Sequence, residues 1–186
     1  MITIEDLVER VNEKERILLD VRPFQHYVDC HMKGSFNMNQ QIMARFVEEK
    51  QREQFQEMYG GAEQSNQAPV QSALTDCDRR VVQVYLEFLK AYQENYPSSF
   101  IVLVGDREEK GDAFGSNVIM QSETPIRNIC VLKGGIDAVK VEHPELLRKR
   151  SSQQKEDQMI AQFEKFVKNA KSKNKAANSA GQGELL

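Results

Sequence analysis

Cysteines are few and far apart in this sequence: Cys30, Cys77 and Cys130. No C-x-x-C pair occurs, which excludes a disulfide framework and a cysteine-type zinc site, and a reducing compartment is expected. Histidine is equally scarce. His26 and His31 have no acidic partners at ligand spacing, so neither a metal ion nor any other cofactor is expected. No apolar run approaches the roughly 20 residues that span a bilayer. Acidic residues arrive by position 5 with no apolar h-region, which reads as the absence of a secretory signal and as a cytoplasmic chain. Neither G-x-x-x-x-G-K-[ST] nor G-x-G-x-x-G occurs, so the glycine-rich phosphate loops of nucleotide binders are missing. No internal repeat is present.

What is there suffices for one domain with a real core. The chain has 186 residues, 40% of them apolar, too few for two comfortable domains. Its net charge of -3 conceals an asymmetry. Residues 148–186 carry nine basic and four acidic side chains, a net of +5, against -8 over residues 1–147. A basic end of this kind is read either as a solvated tail or as a surface for an acidic partner. It lacks the regular aromatic interleaving of a single-strand binder, so nucleic acid is not an expected partner.

Periodicity places the elements. Thr3 and Asp6 make a variant capping box, and Ile4, Leu7, Val8 and Val11 follow at helical spacing, predicting a helix from Ile4 to about Lys14. Ile17–Val21 is apolar apart from Asp20, as in a parallel strand covered on both faces. Ile42, Met43, Phe46, Val47, Phe55 and Met58 predict one long helix, Gln40–Tyr59, ended by Gly60-Gly61. The glutamine-rich stretch Ala62–Ser72 has little to bury. Next, Val81, Val82, Tyr85, Leu86, Phe88, Leu89 and Tyr92 give a wide apolar face to a helix over about Ala73–Asn95, closed by Pro97. Phe100–Val104 and Asn128–Leu132 are further buried strands, with a helix of about Asp112–Gln121 between them. Lys133-Gly134-Gly135 then turns into a short helix from Ile136. Strands alternating with helices predict an α/β domain with a parallel sheet flanked by helices.

The most informative stretch is ILLDVRPFQHYVDCHMKGSFNM, Ile17–Met38. A buried strand ends in an Asp-x-Arg pair, Asp20 and Arg22. Pro23 opens a helical turn, and Gly34 allows the chain to reverse. Asp20, Arg22, Tyr27, His31, Met32, Gly34, Ser35 and Asn37 resemble the signature of rhodanese-like domains, with Cys30 where that family usually has glycine. Leu132, Gly134 and Gly135 resemble a second signature of the same family. The resemblance covers about residues 2–147 and implies a rhodanese-like parallel sheet, here with a helical elaboration over about 39–99. Residues 148–171 then read as a basic amphipathic helical extension and 172–186 as a disordered tail.

The resemblance also says where chemistry would sit. In active members the strand equivalent to Phe100–Val104 ends in a cysteine, whose sulfur is cradled by backbone N–H groups ahead of a helix. Related dual-specificity phosphatases enlarge that loop to hold phosphate. Here the position is Gly105, and the loop continues through Asp106, Arg107, Glu108, Glu109, Lys110 and Gly111 without a cysteine, serine or threonine. Nucleophilic catalysis needs an attacking atom, and glycine has none. Three carboxylates against two cations also oppose an anionic donor. The chain is expected to be a pseudoenzyme, its loop most like those of the non-catalytic rhodanese domains in TBC-type Rab GTPase-activating proteins. Its expected role is a protein-interaction or scaffold module, in trafficking or in a cytoskeletal or ciliary assembly. The alternative is a sulfurtransferase or phosphatase that uses Cys30 or Cys77 in a rearranged site. Cys130 reads as a small core residue.

At the C-terminal end, Met159, Ile160, Phe163, Phe166 and Val167 form one apolar stripe on a helix over about Gln153–Lys171. An isolated helix of that length is marginal in water, so something must cover the stripe. The groove of a partner protein is the expected cover, and the chain's own core is the other candidate.

Overall fold

In the computed structural model, which describes residues 1–9, 11, 15–59, 74–121, 126–149 and 156–180, strand and helix alternate. Helix α1 (Ile4–Glu9) leads into strand β1 (Arg16–Asp20), helix α2 (Phe24–Asp29) and strands β2 (Cys30–Met32) and β3 (Phe36–Asn37). Two 20-residue helices follow, α3 (Gln40–Tyr59) and α4 (Asp76–Asn95). After them come β4 (Phe100–Val104), α5 (Glu108–Gln121), β5 (Ile129–Val131), α6 (Gly135–Glu142), β6 (Leu147–Lys149) and α7 (Glu156–Ala180).

Four strands form one parallel sheet in the order β3-β1-β4-β5. Leu18 lies level with Val102, and Asp20 with Val104. Ile2 adds an isolated parallel bridge to Leu132 just past β5. Because side chains alternate across a strand, Ile17, Leu19, Ile101 and Leu103 enter the larger core, beneath α3, α4, α5 and α7. Leu18, Val102 and Val104 enter the smaller one, with Ile4 and Leu7 of α1 and Ile136 and Val139 of α6. Two covered faces explain the continuous apolar runs of β1 and β4. A separate antiparallel pair joins β2 to β6, with Cys30 opposite Lys149 and Met32 opposite Leu147. Three-residue strands show no usable period, so the sequence held no sign of this pair.

Local chemistry sets the helix ends. The Thr3 hydroxyl accepts from the Asp6 N–H at 3.1 Å, starting α1. The Arg16 side chain donates to the carbonyl of Leu7, an orphan acceptor in the last turn of α1, and to that of Val11 beyond it. Residues 10 and 12–14 of the longer helix expected there lie outside the described residues. In α4 the Thr75 hydroxyl accepts from the Asp78 N–H, and the Asp78 carboxylate accepts from the Thr75 N–H, both at 3.1 Å. This capping box starts the helix at Asp76, later than the Ala73 expected. The glutamine-rich stretch Ala62–Ser72 also falls outside the described residues.

The C-terminal helix corrects the sequence reading. Met159, Phe163 and Val167 are buried in the chain's own larger core, with Ile160 and Phe166 packed at its margin. The Phe163 ring lies 4.5 Å from that of Phe88, 5.8 Å from Phe36 and 5.9 Å from Tyr85. Phe166 covers Phe88 and Tyr92. Arg80 pairs with Glu164 at 2.7 Å and Glu87 with Lys171 at 3.0 Å. Both steps are seven residues in the same sense, so α7 runs parallel to α4. The physical reason is the width of α4's apolar face, which one sheet cannot cover alone. Helix α7 also continues to Ala180, past Ser172 where a disordered tail was expected to begin.

Replacing a fully buried phenylalanine removes both transfer energy and packing. Phe163→Ala is therefore expected to cost about 3–5 kcal/mol in urea unfolding, and truncation after Arg150 to give an aggregating protein. A shortened chain that melts like the full one would show that the stripe is no part of the core.

Candidate functional site

The carboxyl ends of β1 and β4 meet at the point where the strand order reverses, since the chain moves from β1 outward to β3 and, separately, to β4 and β5. In open α/β sheets the crevice outside such a point is where ligands bind. Here it is filled by the chain's own charges. Arg22 donates through Nε to Asp20 Oδ1 at 2.9 Å and through Nη2 to Oδ2 at 2.6 Å. The Arg22 N–H also donates to Asp20 Oδ1, and Nη2 donates to the Cys30 carbonyl. Both side chains are essentially inaccessible, Asp20 at 0% and Arg22 at 4% exposure. Burial pushes the Arg22 guanidinium down, but the hydrogen bonds and charge of Asp20, with help from Asp106, outweigh it and hold it above its ordinary value. Asn37 donates to the carbonyls of Asp20 and Arg22 at 2.9 and 2.8 Å, tying β3 to the same corner.

Opposite this pair, Asp106 Oδ1 stands 3.8 Å from both Arg22 Nη1 and His26 Nδ1. His26 carried no functional signal in the sequence; only the fold brings it to Asp106. His31, by contrast, turns inward. Its Nδ1 donates to the Tyr27 carbonyl at 2.8 Å, its ring stacks on Tyr27 with centroids 4.1 Å apart, and it is 3% exposed. The Tyr27 hydroxyl donates to the Ser35 carbonyl at 2.7 Å. These signature residues fix the turn from α2 into β3.

The loop after β4 is short. Helix α5 begins at Glu108, four residues before the Asp112 expected, so only Gly105, Asp106 and Arg107 lie between strand and helix. Glu109, in the first turn of α5, suits the positive end of its dipole. Gly105 is buried, and a Cβ built on it would come within 2.5 Å of the Arg107 carbonyl oxygen and 2.8 Å of Lys110 Cβ. The space beside Gly105 thus holds a backbone oxygen. Its own carbonyl accepts from the Ile136 N–H at 2.9 Å, and that of Asp106 from the Asp137 N–H at 3.4 Å. Gly135 allows this approach: with φ at +59°, it leaves open the space where a Cβ would stand 2.6 Å from the Gly105 carbonyl oxygen. The two loop carbonyls cap the start of α6.

Beside the loop lies an open cleft of about 610 Å³, lined by the carboxylates Glu5, Glu109, Asp137 and Glu142 and the cations Arg107 and Lys133. The cysteines stand apart from it. Cys30 is half-buried at the C-terminal end of α2, its N–H given to the His26 carbonyl. Cys77 is exposed in the first turn of α4, and Cys130 is half-buried in β5. Among the described residues no group of three or more His, Cys, Asp or Glu is placed to hold a metal ion, and no helix is long and apolar enough to cross a membrane.

The family model for the rhodanese-like domain matches residues 3–142, three quarters of the sequence. The chain belongs to the rhodanese-like domain family. Among solved structures, it is similar to the N-terminal domain of a putative ATP/GTP binding protein from Clostridium difficile 630, at 17% identity and a TM-score of 0.40, over 76% of this chain and 96% of that one. No curated protein matches it. The match ends with Glu142, the last residue of α6, and β6 and α7 lie beyond it. Asp20, Arg22, Tyr27, His31, Ser35 and Asn37 all serve one buried corner, while Gly105, Asp106 and Arg107 close the mouth above it. Glu109, Lys110 and Gly111 belong to the first turns of α5 with Glu108.

Two outcomes follow for this rhodanese-like corner. Gly105→Ala forces a Cβ onto a backbone oxygen, and a loss of about 1–3 kcal/mol is expected in chemical denaturation; an unchanged midpoint would mean the loop opens freely. For His31, burial comes first among the causes that hold its pKa below the ordinary 6.5, partly opposed by the Tyr27 carbonyl. Below that value the unfolded chain takes up the proton more readily than the fold does. The stability His31 contributes is therefore intact above pH 6.5 and lost as pH falls through its folded pKa. A His31→Gln variant should show a flatter fall in melting temperature with acidification than the parent; parallel curves would refute the assignment.

Proposed function

We propose that this rhodanese-like domain is non-catalytic and acts as a protein-interaction or scaffold subunit. One observation carries the reading: at the end of β4, where the family's chemistry calls for a sulfur, Gly105 has no side chain and the adjoining space is taken by the Arg107 carbonyl oxygen. A nucleophile's nest directs N–H groups at the reacting atom. In this loop the Gly105 and Asp106 carbonyls point instead to the start of α6, and the neighbouring cleft carries four carboxylates against two cations. Neither half of that arrangement favours thiosulfate or phosphate. Cys30 stands half-buried at the C-terminal end of α2, and its own N–H is turned away to the His26 carbonyl. Cys77 is at a helix start, but Thr75 and Asp78 already occupy that cap. The likeness of the acidic loop to those of TBC-type Rab GTPase-activating proteins supports a role in trafficking. A place in a cytoplasmic cytoskeletal or ciliary assembly fits the same reading.

The test is direct. Purified full-length protein is expected to show no thiosulfate:cyanide sulfurtransferase and no phosphatase turnover above buffer, and Gly105→Cys is expected to add none. Turnover that disappears in Cys30→Ala or Cys77→Ala would replace this reading with an enzyme built on the rearranged site.

A further inference from the structure

A groove of about 1160 Å³ runs along α4 and is lined also by α3 and α7. Phe46, Val84 and Leu86, each partly exposed, give it an apolar lining. Its charged rim is mostly self-satisfied: Glu49 with Arg79 at 2.6 Å, Lys50 with Glu53 at 2.8 Å, Arg80 with Glu164 at 2.7 Å, and Glu87 with Lys171 at 3.0 Å. Lys90 and Lys168 remain without an ion-pair partner among the described residues, against the one remaining lining acid, Glu94. Lys165, exposed one turn before Lys168, adds to them. From Lys165 to Gly183 the sequence has five lysines and no acidic residue, so the field on the α7 side is positive.

We propose that this groove docks an acidic amphipathic helix of a partner protein. The inference rests on the reading of the chain as an interaction module and names its surface and the chemistry of its partner. Four features select that occupant. An apolar lining takes the apolar stripe of a helix. Unpaired lysines on the rim take carboxylates on its flanks, which speeds encounter and fixes register. The concave shape fits a rod and not a flat bilayer. No arginine follows Arg150, and the groove's own Arg79 and Arg80 are committed to Glu49 and Glu164, so the guanidinium forks that grip phosphates in pairs are already engaged. Along α4 the lining runs from Arg79 to Glu94, about 22 Å at the helical rise, which is roughly four turns of a docked helix.

The experiment uses the full chain, labelled with 15N, and a synthetic peptide of roughly 16 residues with leucines at helical spacing and glutamates elsewhere. Saturable shift changes are expected on α4 and α7 around Lys90 and Lys168, weakening about tenfold between roughly 50 and 300 mM salt. Lys90→Glu combined with Lys168→Glu, both on the solvent side, should leave the melting temperature unchanged and weaken binding about tenfold or more. Equal binding by that variant, shifts confined to other surfaces, or equal binding of a peptide with lysine in place of glutamate would overturn the proposal. So would tighter binding to phosphatidylserine vesicles or to a thymidine oligonucleotide than to the acidic peptide. Sulfurtransferase turnover in the same preparation would overturn the non-catalytic reading and leave the groove result standing. A silent groove with no turnover would overturn the groove alone.

Discussion

The carboxyl end of the sheet depends on the buried Asp20–Arg22 pair. Two opposite charges removed from water are stable only when every polar atom finds a partner. Here Nε and Nη2 of Arg22 reach the carboxylate, Nη2 also reaches the Cys30 carbonyl, and Nη1 faces Asp106. Asn37 then satisfies the backbone on either side. Removing one member of such a pair leaves an uncompensated buried charge, at about 3–5 kcal/mol. The corner consequently forms whole or not at all. It fixes α2, β2, β3 and the loop after β4 relative to β1.

With that corner rigid, the mouth of the sheet has little freedom. Asp106 sits against Arg22 and His26, the loop carbonyls cap α6, and Gly105 and Gly135 permit backbone contacts that no side chain would allow. A reactive site needs an atom to attack with and donors aimed at the charge that develops. This loop spends its polar groups on holding neighbouring elements together. On the non-catalytic reading proposed above, the fold is kept and surfaces away from its mouth would carry the function.

The groove is built by the helices that cover one face of the sheet. Helices α3 and α4 enlarge one face, and α7 closes what they leave open by burying Met159, Phe163 and Val167. The same closure makes the groove, because α3, α4 and α7 meet along it and their rim charges pair across the seams. Exposed ion pairs of this kind set helix register more than they stabilise.

By itself the sequence determined the family, the parallel α/β sheet and its central strands, because each is written in a local signal: the Asp-x-Arg corner, period-breaking glycines, continuous apolar runs. It also located Gly105, since an absent cysteine is visible without any fold. Element ends were legible only where a cap lay nearby in sequence; helix α5 started early because its first acidic positions read as loop charge. What only the tertiary structure decided joins residues far apart in the chain. The β2–β6 pair, the contact of Asp106 with His26, the approach of Gly105 to Gly135 and the docking of Phe163 on Tyr85 and Phe88 leave no periodic trace. The stripe on α7 showed that something had to cover it, since apolar periodicity states a need for burial. Which surface met that need was a question of shape, and α4, with a face wider than its sheet, answered it.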